Sequence, residues 1–344
     1  MRSFGSDNHS GVHPVIWQAL SEANREHAPS YGTDEWSARA TELFRQELGD
    51  PLEVFFVFNG TGANVLALSG LLRPYETVLC AATAHLNIDE CGAPELSGHF
   101  KLQPVTTADG KLRPEDIERA AIRGGDQHFA QLRAVSLTQP TEFGTLYTLE
   151  ELKALVATAH QHRLFIHIDG ARFILAAAQL DCSLRQLSRD IGIDVLSFGG
   201  TKNGLLMGEA VLVFRPELRE HYKFLRKQMM QLPSKTRFIG AQFSALLTHG
   251  LWRQISEHSC QMATRLASGL KEFTELEFTH PVQTNAVFVK IPKHYVSRLR
   301  EHYFFYIWNE QTFEARLMTS FDTTADDVDT FVDRLRQITK DHKK

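Results

Sequence analysis

Long apolar runs are missing from the sequence: none approaches the roughly 20 residues needed to span a bilayer. The opening Met-Arg-Ser-Phe-Gly-Ser-Asp-Asn-His-Ser is too polar for a signal-peptide core, which points to a cytoplasmic protein with no membrane partner. Cysteine is scarce. Cys80, Cys91, Cys182 and Cys260 are scattered without a C-x-x-C pair, which argues against a disulfide scaffold or a zinc site and suits a reducing compartment. Neither sign of charge dominates. A formal net charge of -4 offers no basic footprint, so nucleic acid is not an expected partner. The phosphate loop that ends in Gly-Lys-Ser/Thr and the dinucleotide signature G-x-G-x-x-G are both absent. So are internal repeats, low-complexity tracts and Pro/Gly linkers that would cut the chain into independent modules.

What is present is an ordinary globular composition, 43% hydrophobic, on a 344-residue chain long enough for a large core. Short apolar runs alternate with helical patterns through its first two thirds. Strands are expected at Glu53–Phe58, Thr77–Ala81, Ala134–Thr138, Leu164–Ile168, Asp194–Phe198 and Ala210–Phe214. Ala63–Leu72 and Thr148–His160 read as helices between them, with Thr148 as the N-cap of the second. Strand and helix in alternation imply crossovers, so the fold class is α/β, with a mostly parallel central sheet and helices on both faces. The last hundred residues change character. A helical stretch at Leu251–Phe273, strands at Ala286–Lys290 and Arg316–Ser320, and a closing helix from Ala325 suggest a smaller α+β domain. The expected division is an N-terminal arm over 1–15, a large domain over 16–245 and a small domain over 246–344.

Parallel sheets gather ligands at the carboxyl ends of their strands, and four such ends carry chemistry. Gly60-Thr61-Gly62 lies between a strand and a helix, where backbone amides, the Thr61 hydroxyl and the helix dipole suit a phosphate; a plain tight turn would read the same. Asp169-Gly170-Ala171-Arg172 follows a buried strand. An acid there needs a positive partner, which a protonated heterocyclic nitrogen or a structural arginine would supply. Gly199-Gly200-Thr201-Lys202-Asn203-Gly204 presents a lysine able to meet a cofactor aldehyde, about one βαβ crossover from Asp169. His85 follows a third strand end closely enough to stack on a flat ring and exchange protons, although any one of sixteen histidines can equally be a surface or core residue.

Taken together, these pieces resemble the L-threonine aldolases, in particular their bacterial low-specificity and phenylserine-type branch, within fold-type I of the pyridoxal-phosphate enzymes. The residues that carry the resemblance are Ser6-Asp7-Asn8, Tyr31-Gly32, Phe58-Asn59-Gly60-Thr61, His85, Glu90-Cys91-Gly92, His167 to Arg172, and Phe198 to Gly204. The resemblance implies an aminotransferase-like fold and pyridoxal 5'-phosphate held on Lys202 as a Schiff base. It implies that Asp169 pairs with the ring nitrogen, that His85 stacks on the ring, and that Gly60 and Thr61 hold the phosphate, with Lys227 of a neighbouring subunit helping. Ser6, Arg172 and Arg316 would bind the α-carboxylate of an amino acid, and His128 would meet the β-hydroxyl. A homotetramer is implied, a dimer of dimers with active sites at the dimer interface and Tyr31 reaching into the partner's site; no metal is implied. Two departures stand out. Asp89 occupies a position often aromatic in the family, and Arg226 to Pro233 replaces a glycine-rich stretch.

The implied reaction is retro-aldol cleavage of L-threonine, L-allo-threonine or phenylserine-like substrates to glycine and an aldehyde. Anchoring the carboxylate with guanidinium groups selects which bond at Cα breaks. A histidine, directly or through a water, would take the β-hydroxyl proton; the sequence leaves His85 and His128 both open for this. Competing readings are β-elimination, racemisation or hydroxymethyl transfer on the same scaffold, a silent cofactor-binding homologue, and a nicotinamide oxidoreductase. The last lacks its glycine fingerprint and leaves Lys202 unexplained.

Overall fold

The computed structural model describes residues 2–342. After helices α1 (Pro14–Ala23) and α2 (Glu35–Leu48), the chain enters β1 (Glu53–Val57), α3 (Gly60–Ser69) and β2 (Glu76–Ala81). Two short helices follow, α4 (His85–Ile88) and α5 (Ala93–Gly98), and then β3 (Lys101–Val105), α6 (Pro114–Ala121) and β4 (Gln131–Thr138). The crossovers continue through α7 (Leu149–Gln161), β5 (Phe165–Gly170), α8 (Phe173–Gln179), β6 (Val195–Phe198) and β7 (Glu209–Val213). Helices α9 (Arg219–Gln228), α10 (Arg237–Leu247) and α11 (Leu251–Leu270) then lead to β8 (Glu277–Phe278), β9 (Ala286–Lys290) and α12 (Lys293–Arg300). The chain closes with β10 (Tyr306–Asn309), β11 (Glu314–Met318) and α13 (Ala325–His342).

The central sheet has seven strands in the order β1-β7-β6-β5-β4-β2-β3. Pairing is parallel from β6 across to β3, and only β7 runs against its neighbours. The carboxyl ends of the other six strands and the start of β7 therefore share one edge. Alternation along the strands divides the side chains between two layers of helices. Ile166, Ile168, Leu196 and Phe198 enter a core completed by Phe44 of α2, Leu152 of α7 and Phe243 of α10. Val57, Val195, Val211 and Val213 face Leu66 of α3 and Tyr222 of α9. His167 and Asp169, out of phase with Ile166 and Ile168, lie on this second face. This is the α/β architecture expected, with helices on both faces. Helix α3 begins at Gly60, three residues before its expected start, because the Asn59 side chain accepts a hydrogen bond from the Gly62 amide at 2.8 Å and caps it.

A second, antiparallel sheet has the order β10-β11-β9-β8. Its inner face, with Val287, Val289, Ala315 and Leu317, packs on α11, α12 and α13, and Phe4 of the N-terminal segment joins that core. Arg316 lies between two core residues of β11, so period two turns it outward, away from the small sheet's core. Among the described residues no helix is long and apolar enough to cross a membrane, and the four cysteines are free.

Candidate active site

The shared edge of the large sheet collects residues that are far apart in sequence. A cavity of about 300 Å³ is lined by Asn59, Gly60 and Thr61 after β1, His85 after β2, Asp169 at the end of β5, Lys202 after β6 and Glu209 at the start of β7. Strands β5 and β6 are direct neighbours, with Asp169 opposite Ser197 in the register. Lys202 sits in a single 3-10 turn, Thr201–Asn203, just beyond β6. Glycine is required in that approach: a Cβ on Gly199 would meet the Ala171 carbonyl oxygen at 2.1 Å. The turn is fixed from below by Glu209, a buried carboxylate that accepts the Gly200 N–H and whose pKa burial pushes upward. Sequence reasoning passed over Glu209, because it heads the one strand that runs backwards.

Asp169 is nearly sealed from water, at 4% exposure. Its Oδ2 accepts from the side-chain amide of Asn64 at 3.0 Å and its Oδ1 from the Ala171 N–H at 3.2 Å. The same Asn64 amide donates to Glu90 Oε1 at 2.9 Å, and Glu90 Oε1 also lies 2.9 Å from His85 Nδ1. A buried chain of polar groups thus runs from Asp169 through Asn64 and Glu90 to His85. The Glu90 hydrogen bond is the largest influence raising the His85 pKa, with Asp169 and Glu142 adding to it and burial opposing. Beneath Asp169, on the same face, the buried His167 bridges the Ser136 and Ser197 hydroxyls at 2.9 Å each, and burial drives its pKa down to about 4. It is a neutral hydrogen-bonding group at any ordinary pH.

Asn8, His85 and Lys202 also line a second, outer cavity of about 670 Å³. Its walls include Ser6, Asp89, Glu142, Trp308, Arg172 and Arg316. The two arginines are held very differently. Arg172 donates from Nε and one terminal nitrogen to the buried carboxylate of Asp7, at 2.5 and 2.9 Å. Asn285 donates to the same carboxylate at 3.2 Å. Arg316 lies over Trp308, with its guanidinium carbon 4.7 Å from the ring centre, and its buried Nε has no hydrogen-bond partner among the described residues. Burial and the neighbouring Arg172 both lower its pKa. A buried donor left unpaired is costly, which marks Arg316 as the guanidinium free to receive an anion. Ser6 Oγ accepts the Asn8 N–H at 3.1 Å and caps the turn Asp7–His9.

The Asp7–Arg172 pair ties the N-terminal segment to the site, and its energetics give a first test. Burial pushes the Asp7 carboxyl up, but the Arg172 charge and hydrogen bonds more than offset this and leave it below the usual aspartate range. Its stabilising contribution is therefore complete above the unfolded value near 3.8 and is lost as pH falls through the lower folded value. Asp7→Asn is expected to cost about 2 kcal/mol in urea unfolding at pH 7, the scale of a charge-assisted hydrogen bond. The difference between variant and wild type is expected to shrink as the pH falls below 4.

Three expected site residues are not brought to the cavities of their own chain. His128 is exposed in the turn before β4, its N–H bound to Asp126 Oδ1 at 3.0 Å. That turn lies at the amino end of β4, whereas the cavity lies at the carboxyl ends, so within one chain the expected meeting of His128 with a β-hydroxyl does not occur. Tyr31 and Lys227 are both exposed and pair with each other, the Lys227 ammonium lying 5.3 Å from the Tyr31 ring centre. Neither lines the inner or the outer cavity.

A lysine and an acid at adjacent parallel strand ends, a capped helix N-terminus beside them and one free guanidinium outside, that of Arg316, form a site suited to an amino acid, and the class is a lyase. Residues 3–294 match the Beta-eliminating lyase family, and the chain belongs to it. It is 42% identical to the low specificity L-threonine aldolase of Pseudomonas aeruginosa, over 99% of this chain and 96% of that protein. It is also 42% identical to the low specificity L-threonine aldolase of a Pseudomonas species, over 94% and 93% of the two chains. Among solved structures it superposes on a Leishmania major threonine aldolase with a TM-score of 0.93, at 30% identity and over 98% and 99% of the two chains.

Proposed function

We propose that this lyase cleaves L-threonine, L-allo-threonine and related β-hydroxy-α-amino acids such as phenylserine to glycine and an aldehyde, using pyridoxal 5'-phosphate held by Lys202. The observation that carries this reading is the shared inner cavity, in which an amine (Lys202) and a buried acid (Asp169) meet beside the N-terminus of α3. The residues fit such a cofactor. Gly60 has no atom within 4 Å of where a Cβ would stand, so its backbone is open to a phosphate at the positive end of a helix. Asp169 has both oxygens engaged as acceptors, the state of an ionised carboxylate able to hold a protonated ring nitrogen. When bound, the cofactor supplies an aldehyde for an amine and a ring that accepts the electron pair of a broken bond at Cα.

The chain's own groups account for the rest. Lys202 borders both cavities, so its amine, once displaced from the cofactor's aldehyde by the amine of an incoming amino acid, would stay beside the reacting centre and could carry a proton there. Arg316 would receive the α-carboxylate, with Arg172 and Ser6 at the same wall. His85 stands where the two cavities join and can take the β-hydroxyl proton there. Arg316→Ala is expected to raise KM for threonine about 10–100-fold, as for loss of a charged hydrogen-bonded contact, while cofactor occupancy read from visible absorbance stays unchanged. Equal loss of both would make Arg316 a structural residue. Formation of acetaldehyde and glycine from threonine tests the reaction itself; racemisation or pyruvate formation without acetaldehyde would replace it with another chemistry.

We further propose that the active unit is a homotetramer in which Tyr31, Lys227 and His128 serve a partner's site. Supporting this, an apolar groove of about 490 Å³ lined by Trp17, Leu20, Leu206 and Phe238 adjoins the inner cavity through Phe58 and Met207. Trp17 is 56% exposed, a large apolar area for a free surface and an ordinary one for an interface. Four free cysteines accord with a cytoplasmic setting.

A further inference from the structure

The buried chain from Asp169 to His85 constrains where its protons sit. The Asn64 side-chain nitrogen carries two hydrogens, and it lies 2.9 Å from Glu90 Oε1 and 3.0 Å from Asp169 Oδ2. Each carboxylate therefore takes one hydrogen, and both act as acceptors. Reversing the amide would aim its oxygen at two acids. Glu90 Oε2 is buried with no partner, so a proton placed there would be a buried donor with nothing to receive it. With Glu90 ionised, the remaining contact, His85 Nδ1 to Glu90 Oε1 at 2.9 Å, is a donation from the imidazole, and only a proton on Oε1 itself would reverse it.

We propose that Glu90 and Asn64 are positioning residues that lock His85 with its proton on Nδ1, leaving Nε2 as the proton-accepting atom at the junction of the two cavities. Asn64 couples this lock to Asp169, so that the acid of the inner cavity and the base of the outer one are held by one amide. The proposal deepens the functional reading above and, for the role of Nε2, rests on it. Within one chain it assigns the base to His85, since His128 stands there at the far edge of the sheet and would reach a site only in a partner. Burial and exposure are divided as such a lock requires. The side chain of Glu90 is fully buried, whereas that of His85 is 28% exposed and borders both cavities. Burial and the nearby Asp169 charge push the Glu90 carboxyl up, and the His85 and Asn64 hydrogen bonds offset this only in part. The charged groups facing His85 are Glu90 after α4, Asp169 on β5 and Glu142 after β4. Lys202, Arg172, Arg316 and Asp89 line the same outer cavity. A buried carboxylate within hydrogen-bond reach raises an imidazole's pKa, and removing its charge lowers it.

The test is nitrogen NMR of the full-length protein labelled with [15N]histidine, with His85 assigned by comparison with His85→Asn. Wild type is expected to show the tautomer protonated on Nδ1 at high pH. Glu90→Gln, which keeps the shape and removes the charge, is expected to lower the His85 titration midpoint. It is also expected to shift the acidic limb of kcat to lower pH and to reduce kcat about 10–100-fold, below or at the low end of what removing a general base outright costs, about 10²–10⁴-fold, with KM and visible absorbance little changed. A wild-type tautomer protonated on Nε2 overturns the proposal even if the variant fails to fold. So does an unchanged midpoint in Glu90→Gln. If the midpoint falls while the kcat profile stays where it was, His85 is locked but is not the base, and that part is overturned. If wild type cleaves no β-hydroxy-amino acid, the functional reading falls, and the tautomer still decides the role of Glu90 and Asn64.

Discussion

Replacing Lys202 by alanine is expected to reduce threonine cleavage by roughly 10⁴-fold or more, the scale seen when a nucleophile acting within a catalytic unit is removed. The side chain borders both cavities, and among the described residues no second lysine lines either of them, so no neighbouring amine there can substitute. The protein itself should remain folded. Lys202 lies in a turn held by the backbone and by Glu209 and Asn203, whose amide nitrogen donates to the Gly199 carbonyl at 2.8 Å, and none of those bonds uses the lysine side chain. Purified Lys202→Ala should therefore keep its melting temperature in the absence of added cofactor while losing the visible band that a cofactor–lysine bond produces. Unchanged cleavage in this variant would remove Lys202 from the chemistry.

Asp169→Asn carries the second largest effect. The amide oxygen can still accept from Asn64, so the packing around α3 survives, but the negative charge that would hold a proton on the ring nitrogen is gone. Holding that proton is what makes the ring an electron sink; on the scale of one preorganised donor removed from a site of developing negative charge, about 10²–10³-fold, kcat is expected to fall by roughly 10³-fold. Binding should fall less. Cofactor occupancy, followed by absorbance, should remain measurable because Lys202 and the N-terminus of α3 are untouched. If kcat and occupancy fell together by the same factor, Asp169 would be a structural anchor rather than the group that tunes the ring.

Much of this site is legible in the sequence, for a reason rooted in the sheet. Buried parallel strands read as continuous apolar runs, and the residues that end them must lie on one edge. Asp169 and Lys202 each follow such a run, and the structure places them on adjacent strands. Gly60, Thr61 and His85 join the same cavity by the same logic. What is hard to read is whatever acts from inside an element. Asn64 is one polar residue within the apolar helix α3, and its only signal is that a buried amide among Ala63, Val65 and Leu66 must have partners. Glu209 heads the reversed strand β7, whose direction no local pattern announces. Asp7 is short-range polar sequence in an arm, and its claim on Arg172 depends on a contact across 165 residues of sequence. Strands β3, β8 and β10 also escape the apolar-run test: β3 has mostly exposed or half-exposed positions, β8 is two residues long, and β10 has no buried position. Residues proposed to serve a second copy are the hardest of all, because His128, Tyr31 and Lys227 look like ordinary surface in one chain.

Borohydride treatment of the purified protein, followed by peptide mass spectrometry, is the most direct measurement of the central assignment. Reduction is expected to bleach the visible band and to leave a pyridoxyl-phosphate adduct on the peptide containing Lys202, at that residue and no other. An adduct on a different lysine, or a full visible band with an unmodified Lys202 peptide after reduction, would contradict it.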